Sequence, residues 1–294
     1  MKIGLSEQFN GGNRGVDFAI GAAQLAEGLG FEEIWFPEHV VYFPDYESDY
    51  PYGSQGQAEV HSLRGKMEPF VAIAAMASAT TTIRFGTYVC VVAERHPIHL
   101  AREVATVDEV SRGRFDFGVG VGWLQGEYEA VGVPFAARGR RTDECLAAMK
   151  ELWIAEESSF HGEFYNFGPL YANPKPRQSP HPPILVGGNS PATIKRIVEY
   201  GDGWLGYTLE PDEVARFIED LDGALSKAGR SLDDVQLMVG RRAKEVSDEA
   251  WEADARYIEQ VEKLGIEQVV LSPRIPLEGY EEKTRALARI VGLG

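Results

Sequence analysis

The 294-residue sequence is short of cysteine, of positive charge and of long apolar runs, and each shortage removes a class of protein. Two cysteines, Cys90 and Cys145, make neither a disulfide framework nor a zinc cluster. Lys and Arg number 29 against 45 Asp and Glu, a net charge of -16 that repels phosphate backbones and anionic headgroups. No nucleic acid and no membrane is therefore expected as a partner. No apolar run approaches transmembrane length and no basic, apolar leader precedes the first strand, so the expected location is the cytoplasm. Walker, H-E-x-x-H and G-x-S-x-G motifs are also missing, which leaves P-loop, zincin and serine-hydrolase readings without their chemistry.

What is present favours one large domain over residues 1–294. Hydrophobic residues make up 44% of the chain, enough for a sizeable core. Strand-like runs recur at Lys2–Ser6, Glu33–Pro37, Ile83–Val92, Arg114–Val121, Pro183–Gly187, Gly203–Thr208, Val235–Val239 and Gln268–Ser272, each followed by a helical pattern. Runs such as Ile184–Val186 and Val269–Leu271 are continuously apolar, as in parallel strands covered on both faces. Eight βα units in this length predict an α/β fold, a (β/α)8 TIM barrel, with an open doubly wound sheet as the alternative.

Two insertion loops break the rhythm. One follows strand 2, from His39 to Lys66, and holds Tyr42, Phe43, Tyr46, Tyr50, Pro51 and Tyr52; it leaves the C-terminal end of a strand and is expected to line the ligand site. The other, Glu156 to Pro182, lies between helix 4 and strand 5, carries Pro169, Pro174, Pro176, Pro180 and Pro182, and is expected to act as scaffold or dimer contact.

Several residues carry possible chemistry. Glu38 and His39 emerge together at the end of strand 2, either as a proton-transfer pair or as a brace for the loop. His96 and His99, three apart beside Pro97, have no ligand partner at a recognisable spacing, so capping or packing is favoured and no metal is expected. His61, His161 and His181 stand alone in loops. Strand 4 ends Gly118-Val119-Gly120-Val121-Gly122-Trp123, where glycines at every second position admit a flat ring or another backbone. It is not the dinucleotide fingerprint, because Trp123 and Gln125 stand where glycine would be required. Gly113 reads as a helix stop. Gly187-Gly188-Asn189-Ser190-Pro191 opens a helix and suits either an anion or a plain capped turn. Cys145 reads as core, and nothing near Cys90 suggests an activated thiolate.

Taken in order, these segments resemble the luciferase-like monooxygenase superfamily, in particular its coenzyme F420-dependent oxidoreductases. The resemblance runs from Met1 to about Tyr207 and is carried by Gly30–His39, Ile83–Val89, Val107–Trp123, Pro183–Gly188 and Gly201–Trp204. It implies a barrel, commonly a homodimer, with an isoalloxazine or deazaflavin ring across its open end. Tyr88 and Val89 match the family's non-prolyl cis peptide against the ring, and His39 with Glu38 matches the acid-His pair at its reactive edge. Gly120, Gly122 and Trp123 match the loop beside the ring, while Gly187, Gly188, Asn189 and Tyr207 fall in the region that holds the phosphate and ribityl tail. Trp123 stands where the family's sugar-phosphate dehydrogenases carry a glutamate proton donor, which argues against a sugar-phosphate substrate. The implied activity is F420-dependent hydride transfer to or from a small organic substrate, with His39 supplying or accepting the proton. An FMN-dependent monooxygenase is the nearest alternative, a non-catalytic flavin-binding barrel the next, and a metal-dependent barrel hydrolase lacks its ligand constellation.

Overall fold

A computed structural model describes residues 1–9, 12–43 and 66–293. Its strands are β1 (Lys2–Ser6), β2 (Glu33–Phe36), β3 (Arg84–Thr87), β4 (Cys90–Val91), β5 (Phe115–Gly120), β6 (Ser158–His161), β7 (Asn166–Leu170), β8 (Ile184–Gly187), β9 (Gly203–Tyr207), β10 (Gln236–Arg242) and β11 (Gln268–Ser272). The helices are α1 (Val16–Gly28), α2 (Pro69–Ser78), α3 (Pro97–Ser111), α4 (Gln125–Ala130), α5 (Arg138–Ile154), α6 (Pro191–Tyr200), α7 (Pro211–Lys227), α8 (Asp248–Glu262) and α9 (Tyr280–Ile290).

All barrel strands are parallel, in the order β3, β2, β1, β11, β10, β9, β8, β5, and pairing of Phe85 with Phe115 joins β5 back to β3. That last pairing closes the sheet, so the chain is a (β/α)8 barrel and the open-sheet alternative is excluded. The expected third strand, Ile83–Val92, proves to be broken. β3 stops at Thr87, Tyr88 and Val89 step out through a cis peptide bond, and β4 resumes the pairing with β5. The seventh strand runs three residues further than its apolar stretch, to Arg242, because polar residues there still pair with Leu271 and Ser272.

The outer core lies between barrel and helices. Inside the barrel a smaller cluster joins Trp35, Leu185, Leu205, Met238 and Val270, with Tyr88 and Val89 packed against it. Trp35 fits because the strands on either side carry glycine: a Cβ on Gly86 would lie 2.4 Å from the indole and one on Gly4 2.9 Å from its Nε1. Below this layer, at the N-terminal ends, Gln268 donates to Glu33 at 3.2 Å and Arg84 binds Asp116 at 2.8 Å. This end is a polar plug, which leaves the C-terminal ends as the open face.

Local signals set the helix limits. α3 starts at Pro97, with His96 Nδ1 accepting from the Ile98 amide at 3.3 Å, and stops at Arg112 and Gly113, both with positive φ. His96 is therefore a cap, as favoured over a metal ligand. The second insertion contains the antiparallel hairpin β6–β7, whose Phe160 and Phe167 rings stack 6.0 Å apart. Beyond it Gln178 bonds Asp108 at 2.7 Å and the Phe115 carbonyl at 2.6 Å, and Lys175 bonds the carbonyls of Leu152 and Ala155. The scaffold role expected for this insertion follows from those contacts. Of the first insertion, Tyr46, Tyr50, Pro51, Tyr52 and His61 lie outside the described residues.

Candidate active site

At the C-terminal mouth the chain leaves β2 through Pro37, Glu38 and His39, and the last two part company. Glu38, only 6% exposed, takes the Arg95 guanidinium at 2.7 Å on one oxygen and the Val91 amide at 3.0 Å on the other. Arg95 in turn meets Glu68 at 3.1 Å and Glu103 at 3.7 Å. Glu38 thus ties β2 to the segment after β4 and does not form the expected pair with His39.

The carboxylate beside His39 is Glu127, on α4, and sequence reasoning missed it. Its Oε2 lies 3.0 Å from His39 Nδ1, and its Oε1 accepts the amides of Val40 and, at 3.3 Å, Val41. Glu127 is 2% exposed, held down by the buried Leu124 and Tyr128 of the same turn. The Tyr128 hydroxyl donates to the Val121 carbonyl at 2.7 Å. His39 Nε2 has no hydrogen-bond partner among the described residues, and Tyr42 and Trp123 flank the imidazole with ring centroids 5.2 and 5.7 Å away. Phe43 packs on α4 where Gly126 has no side chain. The start of the first insertion is therefore fastened to α4.

Two further titratable groups lie in this cluster. Burial lowers the Lys66 ammonium to about 8, against the opposing pull of Glu127 and Glu38. Burial raises the Glu94 carboxyl to about 8, with Glu127 and Glu38 adding to the effect and Arg95 opposing it. Both Glu94 oxygens are buried, and neither has a hydrogen-bond partner among the described residues. Burial, reinforced by Glu38, holds the Cys90 thiol far above its ordinary range, which suits core and not nucleophile.

Tyr88 and Val89 cover the barrel interior. The Tyr88 hydroxyl donates to the Gly206 carbonyl at 2.8 Å, in space that a Cβ on Gly240 would fill. Val89 lies where Gly120 and Gly187 have no side chains: an added Cβ would come within 2.3 Å and 2.6 Å of its methyls. Of the two uses expected for the glycine-rich strand, a ring or another backbone, Gly118 serves the second, since the Thr87 carbonyl oxygen fills its space, and Gly120 makes room for Val89. Gly122, at φ +64°, turns the chain from β5 toward α4 and brings Trp123 beside His39.

Across the mouth, the β8–α6 turn is a capped turn. Ser190 caps α6 with Thr193, while Asn189 gives its amide to the Tyr207 carbonyl at 2.8 Å and takes the Tyr207 amide at 3.1 Å. That side chain extends the β8–β9 ladder by one rung, so it is not aimed outward as an anion ligand. Gly188, at φ +125°, packs its missing side chain against Thr193, and its carbonyl accepts Trp204 Nε1 at 2.8 Å. Among the described residues, no group of three or more His, Cys, Asp or Glu side chains is arranged to hold a metal ion. No described helix is long and apolar enough to cross a membrane.

Known proteins share this architecture. An uncharacterized protein of Mycobacterium tuberculosis is 31% identical over 259 residues, 88% of this chain and 86% of its own. The FMNH(2)-dependent dimethylsulfone monooxygenase of Pseudomonas putida is 32% identical over 220 residues, 74% of this chain but 56% of its own length. The solved structure of an F420-dependent secondary alcohol dehydrogenase, in complex with an F420-acetone adduct, superimposes with a TM-score of 0.77 at 18% identity, covering 99% of this chain and 98% of that one. Residues 5–289 match the family model for luciferase-like monooxygenases, and the chain belongs to that family.

Proposed function

We propose that this oxidoreductase binds a deazaflavin of the F420 type at the barrel mouth and uses it on a small organic substrate, with His39 handling the proton. The observation that carries the reading is the half-buried Tyr88–Val89 shelf over Gly120 and Gly187, with the His39 imidazole at the same mouth, its Nε2 without a hydrogen-bond partner among the described residues. A planar conjugated ring needs an apolar floor and a proton-transfer group near its edge, and the residues present fit both needs. When bound, a deazaflavin supplies the hydride chemistry. The chain supplies the rest: Tyr88 and Val89 would support the ring, Tyr42 and Trp123 would exclude water, and His39 Nε2 would hold or take a proton. Resemblance of the Gly30–His39 and Val107–Trp123 segments to F420-dependent enzymes supports the choice of deazaflavin.

FMN is the second reading, favoured by the 32% identity to an FMNH(2)-dependent monooxygenase. Titrating the purified protein with F420 and with FMN, followed by fluorescence, separates the two. We expect F420 to bind at least about tenfold more tightly, a difference of about 1.4 kcal/mol; equal or tighter FMN binding would transfer the assignment to the monooxygenase. In a substrate screen with the preferred cofactor, His39→Ala is expected to reduce turnover by about 10²-fold while leaving cofactor affinity within a few-fold. Turnover equal to the parent would remove His39 from the chemistry, and firm binding without turnover across a broad panel would favour a non-catalytic carrier. A homodimer and a cytoplasmic setting belong to the same proposal, the former checked by light scattering after gel filtration.

A further inference from the structure

The carboxylate of Glu127 is fully committed, and its commitments are unequal. Oε1 accepts two consecutive backbone amides, from Val40 and Val41, and Oε2 faces His39 Nδ1 at 3.0 Å. Backbone amides only donate, so Oε1 is an acceptor; with Oε2 accepting as well, as in a carboxylate, the hydrogen between Oε2 and Nδ1 comes from the imidazole, whereas a proton held on Oε2 would leave the ring protonated at Nε2. A neutral imidazole has one N–H, and here that N–H is used on Glu127. Nε2 is then the ring nitrogen with a free lone pair.

We propose that Glu127 is the positioning residue of the site: it fixes His39 as the Nδ1–H tautomer and so presents Nε2 as the proton-accepting atom. The same carboxylate anchors Val40 and Val41, which sets the ring's orientation as well as its tautomer. The catalytic consequence rests on His39 being the proton-transfer group, as proposed above, whereas the tautomer is a property of the protein before any cofactor or substrate is added. Two features keep the pair in place. Glu127 is 2% exposed, so water competes weakly for its oxygens, and α4 is held by the Tyr128 hydroxyl on Val121 and by Phe43 on Gly126.

Substitution of Glu127 by glutamine has a definite outcome under this arrangement. The amide oxygen must stay where Val40 and Val41 donate, because the NH2 group there would face two donors. The NH2 group therefore turns to Nδ1, which must accept, and the ring proton moves to Nε2. A nearly isosteric change should exchange the two ring nitrogens' roles.

The experiment uses the whole chain with 15N-labelled histidine at a pH where His39 is neutral. Imidazole nitrogen shifts distinguish a protonated from an unprotonated ring nitrogen, and His39→Ala identifies which of the six histidines is observed. The expected result is protonated Nδ1 in the parent and protonated Nε2 in Glu127→Gln, with at least about a 10²-fold loss of turnover. A parent spectrum with the proton on Nε2, or a tautomer unchanged in Glu127→Gln, would overturn the proposal. Should the glutamine variant fail to fold, the parent spectrum alone decides the tautomer. Parent-like turnover in His39→Ala would instead defeat the catalytic reading, and the nitrogen shifts would still report on Glu127 independently.

Discussion

Val89 occupies the space that Gly120 leaves empty, with one methyl 2.3 Å from where a Gly120 Cβ would stand. The other methyl is 2.6 Å from the equivalent point on Gly187, so two neighbouring strands accommodate one side chain. Gly120→Ala is expected to destabilise the fold by about 1–3 kcal/mol through overpacking. Val89→Ala in the same chain should return part of that loss, and urea unfolding of the four members of the double-mutant cycle measures the coupling. Strictly additive losses would show that the glycine serves something other than Val89.

The Glu38–Arg95 pair gives a prediction that separates structure from chemistry. Glu38 is 6% exposed and bonded to both Arg95 and the Val91 amide. Removing Glu38 leaves the buried Val91 amide without its acceptor and leaves Arg95 only its more exposed partners Glu68 and Glu103, so Glu38→Ala should cost about 1–3 kcal/mol. His39→Ala, which removes a side chain at the rim of the site, should cost much less stability and more turnover. Equal stability losses in the two variants would contradict this division of labour.

The parallel strands were legible because their residues are buried on both sides, which writes an uninterrupted apolar run such as Ile184–Val186 into the sequence. The break at Tyr88–Val89 interrupts no such run, and its position came from family resemblance and not from pattern. The division between Glu38 and His39 is set by partners distant in sequence, Arg95 and Val91 for the one and Glu127 for the other, and adjacency in the chain records neither. Glu127 was hidden for two reasons. It is one of 45 acidic residues, and α4 has only six residues, too few for a helical period to stand out. The available signal was Leu124 and Tyr128, four apart and both buried, which places the intervening residues on one short turn. The role of Asn189 depends on Tyr207, 18 residues away, and no local pattern records it.

Glu27 provides an acid-side prediction. Burial by itself would raise its carboxyl, but the amides of Thr82, Ile83 and Thr81 donate to one oxygen at 2.6, 3.1 and 2.8 Å and bring it down to about 2. A folded-state value below the unfolded one means stability that is present above about pH 4.5 and is lost as pH falls toward 2. Glu27→Gln should therefore be less stable than the parent at neutral pH and approach it in acid. Urea midpoints at pH 6 and pH 3 test this, and a stability difference that does not shrink in acid would refute it.

Glu94 carries the opposite linkage. Its buried carboxyl has no hydrogen-bond partner among the described residues and stands near Glu127 and Glu38, so its proton is held up to about 8, far above the ordinary 4.5. The folded protein then binds a proton that the unfolded chain has released, and stability contributed by the neutral acid is complete below pH 4.5 and declines as pH rises toward 8. Glu7 acts in the same direction, raised by burial to about 7, so some decline persists without Glu94. Glutamine at position 94 mimics the protonated acid at every pH. Glu94→Gln should match the parent near pH 4.5 and exceed it increasingly up to pH 8, with the gain between pH 7 and 8 belonging to Glu94 and not to Glu7. Thermal midpoints across that range measure the difference; a constant offset would mean that Glu94 is ionised throughout, and that the three glutamates at the mouth are balanced by Lys66 and Arg95 instead of by a retained proton.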